Sequence, residues 1–193
     1  MTTPLTLMAV HAHPDDESSS TGGVLARYAD EGVRTVVVTC TNGELGDAPG
    51  GIKPGDEGHD EAEVARIRLG ELQRACETLG VAHLELLGYH DSGMVDWEHK
   101  DRPDVFCNVA VDDAAERLSG LFERYRPDVV VTYDELGGYD HPDHVHASQI
   151  EESLWAHLPA EAFGAIFGEE SFIRAHDTTG APLPEADLFV GLR

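Results

Sequence analysis

Residues 5–17 read LTLMAVHAHPDDE, an apolar run that leads directly into two histidines and three acidic residues. The run from Leu5 to Val10 is typical of a buried strand. A strand that ends in charged, metal-capable side chains places them at an edge of the sheet, where α/β proteins usually build their sites. We therefore expect half of a metal centre directly after the first strand.

The spacing of His13 and Asp16 favours a shared metal ion. Pro14 fixes its own φ and pushes His13 towards an extended conformation. His13 and Asp16 then lie on either side of a tight turn, while Asp15 points elsewhere. A catalytic zinc site needs a few nitrogen and oxygen ligands, an open position for water and a carboxylate that takes that water's proton. This one turn can supply both kinds of carboxylate.

The acidic residues of the turn have a second explanation. Asp15, Asp16 and Glu17 could simply cap the helix that follows, because carboxylates are favourable at helix N-termini. For Glu17 alone we prefer this explanation. Capping does not account for a histidine at position 13, so for His13 with Asp16 we favour the metal.

Length and charge limit the classes of protein to consider. The chain has 193 residues, 41% of them hydrophobic, which is enough for one well-buried domain and short for two. We expect a single domain over residues 1–193. With 37 acidic against 13 basic residues the formal charge is −24, which argues against nucleic acid or an anionic membrane as a partner.

The cysteines and the N-terminus indicate the compartment. Cys40, Cys76 and Cys107 are an odd number in no metal-type spacing, so we interpret them as reduced core residues. The N-terminus has no basic stretch before an apolar segment, and no apolar run approaches about 18 residues. The sequence therefore predicts neither a signal peptide nor a membrane span, and a cytoplasmic protein.

Strand and helix patterns alternate along the chain. After the first strand, a helix with Val24, Leu25, Tyr28 and Ala29 on its apolar face ends at Gly32. The further predicted strands are 34–40, 83–87 and 129–133, and the further helices are 60–79, 112–125 and one that begins at Pro142 and extends to Leu158. Residues 163–167 and 188–192 are weaker apolar candidates for strands.

This alternation predicts an α/β fold. We expect a Rossmann-like, doubly wound and mostly parallel sheet in the order 3-2-1-4-5, with helices on both faces and three layers. A nucleotide-binding Rossmann domain is not predicted, because the first strand-to-helix turn lacks G-x-G-x-x-G.

A second polar cluster follows the strand 129–133. Residues 134–146 read DELGGYDHPDHVH, again a mixture of histidines and carboxylates directly after an apolar run. Pro142 suits the first position of a helix, which puts His144 in the first turn with its ring near the sheet edge. In the expected strand order the first and fourth strands are neighbours, so the two clusters lie next to each other.

Two motifs together carry a family resemblance. Residues 12–17, AHPDDE, and 138–144, GYDHPDH, resemble the LmbE-like zinc de-N-acetylases, which include the N-acetylglucosaminyl-phosphatidylinositol (PIG-L) deacetylases. The chain is also similar to this family at shorter segments, in the correct order over roughly the first 150 residues: 39–41 with 43–44, 68–72, 91–94 and 132–134. Within the family the motifs look closest to the deacetylase and the conjugate amidase of mycothiol metabolism.

The resemblance implies a metal centre and a base. It assigns one zinc ion per chain to His13, Asp16 and His144. It makes Asp15 the general base on the water that the ion activates, which agrees with a carboxylate beside the metal that points away from it.

The resemblance also implies roles for residues around the metal. His141, oriented by Asp143, would be a protonated imidazole near the oxyanion or the leaving amine, and the Tyr139 hydroxyl would donate to that oxyanion. Arg68 and Asp91 would contact sugar hydroxyls. Spacing alone leaves Arg68 equally compatible with a solvated helix flank.

These observations favour a zinc hydrolase that removes an N-acetyl group from an amino-sugar conjugate such as a GlcNAc derivative. A mycothiol-conjugate amidase and a catalytically silent metal- or ligand-binding protein of the same fold are the alternatives. Asp15, Tyr139 and His141 favour the enzyme, since binding alone would not require them. The expected partner is a small molecule, with a homo-oligomer left open. Family members usually continue well past the point where this chain stops, so a C-terminally shortened form or a fragment is also an expectation.

Overall fold

The computed structural model describes residues 5–157, 172–174 and 188–191. Within these residues six strands form one sheet in the order β3-β2-β1-β4-β6-β5. The strands are β1 (Thr6–His11), β2 (Arg34–Thr41), β3 (His83–Tyr89), β4 (Val129–Tyr133), β5 (Phe172–Arg174) and β6 (Leu188–Gly191).

Helices connect the strands. They are α1 (Asp16–Ser19), α2 (Gly22–Asp30), α3 (Glu61–Leu79), α4 (Val111–Tyr125), α5 (Gly137–Asp140) and α6 (Pro142–His157), with 3-10 turns at Glu98–Asp101 and Phe106–Asn108. The ends of α3 follow from its sequence: the Asp60 carboxylate accepts the backbone N–H groups of Ala62 and Glu63, and Gly80 ends the helix at φ 72°. Pro142 begins α6, as its missing N–H and fixed φ predict.

The sheet confirms an α/β fold with a parallel core. β3, β2, β1 and β4 are parallel and lie in the predicted order. The prediction of a fifth strand in sequence beside β4 is wrong, because β6 occupies that position and pairs antiparallel with β4. A strand added antiparallel to a parallel sheet needs no right-handed crossover. The candidate strand 163–167 and Leu158 lie outside the described residues.

Helices cover both faces of the sheet, which gives three layers. On one face Met8, Val10 and Val38 pack with Leu118 of α4 and Ile150 of α6. On the other face lie α2 and α3, which contribute the buried residues Leu25, Leu72 and Cys76 to a cluster with Leu7, Ala9 and Val37. All six residues of β1 are buried, so this strand separates the two cores.

The predicted apolar face of α2 is only partly correct. Leu25 is fully buried, but Val24 is 36% exposed and Tyr28 is 40% exposed. The helix has nine residues and meets the core through Leu25 and Gly22. A short helix that covers little of the sheet buries a narrower stripe than its sequence offers.

The cysteines agree with their interpretation as reduced residues. Cys40 and Cys76 are buried, Cys107 is half-buried, and all three are free thiols. None of the helices in the described part of the chain combines the length and the apolar content needed to cross a bilayer.

The packing of α4 can be tested with two leucines. Leu118 is fully buried between α4 and the sheet, whereas Leu5 is 61% exposed. We expect Leu118→Ala to lower the free energy of unfolding by about 2–5 kcal/mol, because it removes buried contacts and leaves a cavity. Leu5→Ala should change it by less than about 0.5 kcal/mol. Urea unfolding of both variants measures the difference, and equal losses would contradict this core.

Candidate metal centre

Three potential ligand atoms converge where β1 and β4 end. His144 Nε2 lies 3.2 Å from His13 Nδ1, and Asp16 Oδ2 lies 3.5 Å from His13 Nδ1 and 3.6 Å from His144 Nε2. A tetrahedral zinc with bonds of about 2.0–2.1 Å places its ligand atoms about 3.3–3.4 Å apart. The triangle formed by His13, Asp16 and His144 therefore has the size that one such ion requires.

The ring nitrogens of His13 and His144 that point away from the triangle have contacts that indicate where each ring carries its hydrogen. His144 Nδ1 lies 3.1 Å from the Gly137 carbonyl oxygen, and His13 Nε2 lies 3.1 Å from Asp143 Oδ2. Because both of these partners accept, the ring nitrogens that face them carry the hydrogens. When His13 is neutral, two lone pairs and a carboxylate oxygen face each other inside the triangle, and a bound cation would take the place of the proton that His13 otherwise carries. The donor set fits a divalent metal ion on these grounds.

The electrostatics of the cluster also favour a cation. Burial lowers the pKa of His13, but the Asp91, Asp143 and Asp16 carboxylates outweigh it and raise that pKa well above its usual value. Burial raises the pKa of Asp16, yet the hydrogen bond and charge of His13, followed by the charge of His144, hold it well below its usual range. The site therefore combines an ionised carboxylate with a strong preference for positive charge.

The acidic residues of the first turn have separate contacts. Asp16 Oδ2 accepts the His13 backbone N–H at 2.9 Å and the Tyr133 hydroxyl at 2.6 Å. Neither Asp16 nor Asp15 accepts a bond from the α1 backbone N–H groups, so capping does not explain them. Glu17 does support the helix end, since its carboxylate accepts the backbone N–H of Asp15 at 2.9 Å.

Asp15 stands beside the triangle in a strained backbone conformation. Its φ is 128°, in a region that residues other than glycine rarely adopt. Its side chain is 59% exposed, and Oδ2 lies 3.8 Å from Nη1 of Arg68. Partial burial and then the Asp16 charge raise the pKa of Asp15 to about 6, against the opposing effects of His13 and Arg68. This carboxylate is suited to accept a proton near neutral pH.

A cleft of about 210 Å³ lies in front of the triangle. It brings together five of the residues that the sequence analysis proposed around the metal: Asp15, Arg68, Asp91, Tyr139 and His141. Tyr139 is 60% exposed at its mouth, and its ring centroid lies 5.0 Å from that of His144. Apolar side chains including Leu45, Met94 and Trp97 complete the wall.

The family resemblance implied that Asp143 orients His141, but the Asp143 carboxylate does not contact His141. Asp143 is fully buried, and its carboxylate accepts from His13, from the Ser92 backbone N–H at 2.9 Å and from the Ser92 hydroxyl. Only the backbone N–H of Asp143 meets His141, at Nδ1 and 3.2 Å. The first turn of α6 aims the carboxylate inward, towards His13.

His141 and Asp91 also differ in detail from expectation. Burial, with the charges of His13 and His144, lowers the pKa of His141 to about 4, so the imidazole is neutral rather than protonated at pH 7. Asp91 is buried, and its Oδ1 lies 3.6 Å from His13 Nε2 besides accepting the Gly93 N–H at 2.8 Å. Asp91 therefore faces the outer side of His13 as well as the cleft.

Two other groups of side chains among the described residues could hold an ion. They are His13 with His141 and His144, and His13 with Asp91 and Asp143. His141 Nδ1 already accepts the Asp143 N–H, and the Asp143 carboxylate is already engaged by His13 and Ser92. We favour the triangle with Asp16 because its three atoms lie 3.2–3.6 Å apart, close to the spacing that a tetrahedral zinc ion requires.

His11 and His146 lie outside the triangle. His11 is buried, and its Nε2 lies 2.9 Å from the Thr21 hydroxyl. His146 is buried against the ring of Phe106 at a centroid distance of 4.8 Å. Both are core histidines.

The loop after β4 positions His144 through contacts of Asp134 and Gly137 that were not predicted from the sequence. Asp134 Oδ1 accepts the backbone N–H groups of Leu136 at 3.1 Å and Gly138 at 2.9 Å. The loop so held presents the Gly137 carbonyl to His144 Nδ1. An aspartate followed by a glycine pair is a turn signal that could have indicated this arrangement.

A parallel α/β sheet with a histidine and carboxylate cluster at the C-terminal ends of two adjacent strands defines a class of proteins with a metal-capable site at the sheet edge. Within this class, the family profile of the GlcNAc-PI de-N-acetylases (PIG-L) matches residues 8–155. The chain belongs to this family, and the resemblance seen in its motifs is confirmed.

Known proteins give the same result. A curated protein from Thermobispora bispora, named 1D-myo-inositol 2-acetamido-2-deoxy-alpha-D-glucopyranoside deacetylase, is 44% identical over 152 residues, which cover 75% of this chain and 49% of the relative. The chain spans about half the length of the curated relatives it matches.

Solved structures share the fold. N,N'-diacetylchitobiose deacetylase from Pyrococcus horikoshii has a TM-score of 0.65 at 24% identity, over 88% of this chain and 59% of that chain. The 4-carboxy-2-hydroxymuconate hydratase from Pseudomonas putida has a TM-score of 0.61 at 26% identity, over 86% of this chain and 61% of that chain. A deacetylase and a hydratase on one fold mean that the reaction must be argued from the site.

Gly137 and its neighbour Gly138 offer a matched test of how His144 is positioned. Both have positive φ, but a Cβ at Gly137 would lie 2.7 Å from His144 Cβ and from the Val145 nitrogen, whereas a Cβ at Gly138 would meet nothing within 4 Å. We expect Gly138→Ala to cost about 1–2 kcal/mol from its φ alone. Gly137→Ala should cost about 1–3 kcal/mol more and lower the metal content, because it displaces His144.

Urea unfolding of the metal-free proteins and metal analysis of the purified ones measure these effects. Equal stability and equal metal content in the two variants would show that the Gly137 backbone does not position His144.

Proposed function

We propose that this chain is a zinc-dependent hydrolase that removes the N-acetyl group from an amino-sugar conjugate such as a GlcNAc derivative. The proposal includes a single deacetylase domain over residues 1–193. The observation that carries it is the triangle of His13, Asp16 and His144, with atoms 3.2–3.6 Å apart, next to the Asp15 carboxylate. The name of the Thermobispora bispora relative supports an acetamido sugar as the substrate class.

Two nitrogens and one carboxylate oxygen are a donor set that zinc accepts, with room for further ligands from the side of the cleft. A zinc ion held there would act as a Lewis acid towards a water molecule and the amide carbonyl. The remaining steps of the reaction fall to side chains of this chain.

Asp15 is the proposed general base. It lines the cleft beside His13 and Asp16 and stays outside the triangle, so it is available to take a proton from the attacking water. A pKa of about 6 keeps this carboxylate mostly ionised at neutral pH while leaving it basic enough to hold the proton.

His141 and Tyr139 are the proposed groups at the reacting amide. His141 Nδ1 accepts the Asp143 N–H, so Nε2 carries the hydrogen of the neutral imidazole and can donate a hydrogen bond at the reacting amide, while the proton that Asp15 takes from the water passes to the leaving amine. The exposed Tyr139 hydroxyl can donate a hydrogen bond to the oxyanion of the tetrahedral intermediate. Asp143 supports the site through His13, whose Nε2 it contacts at 3.1 Å.

Arg68 and Asp91 are the proposed contacts to the sugar. Both line the cleft, at the side of Asp15 and of His13 respectively. The Arg68 side chain is 27% exposed, and its guanidinium contacts Glu71 at 3.3 Å and Asp15 at 3.8 Å, so two carboxylates restrain it beside the cleft. A buried carboxylate and a fixed guanidinium can together accept from and donate to neighbouring hydroxyls.

A catalytically silent binding protein and an amidase for a larger acyl group are the competing functions. Binding alone would not require Asp15, His141 and Tyr139 to line one cleft with the metal triangle. Assaying acetate release from a panel of GlcNAc conjugates, with and without a chelator, separates the three. Acetate released only without chelator supports the deacetylase, whereas cleavage of longer amides alone would favour the amidase.

The metal triangle predicts the effect of removing each ligand. We expect His13→Ala, Asp16→Ala and His144→Ala each to abolish stoichiometric zinc, because two ligands bind this ion far more weakly than three. His83→Ala, an exposed histidine on the edge strand β3, is the control and should keep its zinc. Metal analysis after dialysis gives the ratio of zinc to protein. Stoichiometric zinc in all three ligand variants would refute the triangle.

The division of labour between the adjacent aspartates gives a second test. Asp15→Asn keeps the size of the side chain and tolerates a positive φ, but it cannot take a proton. Deacetylation should fall by about 10²–10⁴-fold while zinc stays bound. Asp30 is an exposed residue of α2, and Asp30→Asn serves as the control. It should leave the deacetylation rate and the zinc content unchanged. If Asp15→Asn lost its zinc, Asp15 would be a ligand; if it kept full activity, the base would lie elsewhere.

A further inference from the structure

The metal triangle joins two segments that are far apart in sequence, and Tyr133 contacts both. Tyr133 is the last residue of β4 and is 8% exposed. Its hydroxyl lies 2.6 Å from Asp16 Oδ2, the oxygen that faces both histidines. Its ring stacks on the His144 imidazole with centroids 4.1 Å apart and planes at 19°. One side chain thus touches two of the three proposed ligands.

The hydrogen of the Tyr133 hydroxyl has a fixed direction. The backbone N–H of Ala12 points at the hydroxyl oxygen from 2.9 Å, and an N–H can only donate. The hydroxyl oxygen therefore accepts from Ala12, and its own hydrogen is left for Asp16 Oδ2. A buried carboxylate with a donor held in this way cannot rotate freely.

We propose that Tyr133 is a positioning residue of the metal centre: its hydroxyl holds Asp16 Oδ2, and its ring holds His144, in the orientation that binds the ion. This inference rests on the proposed metal centre and goes beyond it, because Tyr133 is neither a ligand nor part of the cleft wall. It also gives a role to the segment 132–134, which the family resemblance included without assigning a function.

Removing the hydroxyl has two effects of opposite sign. A carboxylate without this donor is more basic, which by itself favours the metal. The same carboxylate is free to turn away, and the Ala12 N–H loses its acceptor, which disfavours the bound geometry. Losses of about 10–100-fold in metal affinity or activity are typical when the outer partners of metal ligands are removed, so positioning outweighs basicity.

The test uses Tyr133→Phe in the full 193-residue chain, with Tyr125→Phe as its control. Tyr125 is also 8% exposed, and its hydroxyl also bonds a carboxylate, that of Glu85, away from the metal triangle. Competition with a chelator gives the zinc dissociation constant of each protein. Absorption of the Co²⁺-substituted proteins reports the ligand field, which a purely structural role would not alter.

We expect Tyr133→Phe to weaken zinc binding by about 10–100-fold and to change the Co²⁺ spectrum, with Tyr125→Phe like the unaltered protein in both. Equal zinc affinity and equal spectra in the two variants would overturn the role of Tyr133 and leave the metal centre standing. Absence of zinc binding by the unaltered chain would instead overturn the proposed function.

If Tyr133→Phe does not fold, 3-fluorotyrosine at position 133 keeps the hydroxyl and makes it more acidic. The Co²⁺ spectrum should then shift, whereas the same replacement at position 125 should have no effect. An unshifted spectrum at position 133 would overturn the proposal.

Discussion

The parallel pairing of β1 with β4 is the constraint on which the site depends. Ala9 pairs with Val131, so both strands end at the same edge and deliver residues 12–17 and 134–146 side by side. Thr132 extends this contact, because its hydroxyl donates to the Val10 carbonyl at 3.1 Å. His13 and His144 are 131 positions apart in sequence, and they meet because the sheet fixes where each strand stops.

Local patterns predicted the elements that have strong local causes. The strand predicted at 129–133 and the helix predicted at 112–125 matched the structure because continuous or periodic apolar residues leave a clear trace in sequence. The direction and position of β6 left no such trace, since an apolar segment can pair either way. The width of the buried face of α2 was overestimated, because the number of buried residues depends on how much of the sheet a short helix covers.

The candidate site also has features with local causes, which were predictable, and features that depend on contacts distant in sequence, which were not. The turn at Pro14 and the helix start at Pro142 are local, and with the expected strand order they predicted that the two polar clusters are neighbours. The ligand set of His13, Asp16 and His144 came from the family resemblance. The side-chain direction of Asp143 depends on the packing of α6 against Ser92, a contact across 51 positions that no spacing encodes. Tyr133 ends an apolar strand and so resembles an ordinary core residue until its hydroxyl is seen against Asp16.

The backbone at Asp15 explains how two identical neighbours come to differ. Adjacent aspartates near one ion would compete to chelate it, and side-chain chemistry cannot tell them apart. The φ of 128° at Asp15 and the helical start at Asp16 send the two carboxylates to different places, one exposed near Arg68 and one against Tyr133. A turn relaxed to ordinary dihedral angles would allow both to bind, so that the ion would gain affinity and lose the vacant coordination that a substrate needs. In the proposed mechanism, conformational strain in this turn therefore keeps a potential chelator free to act as the base.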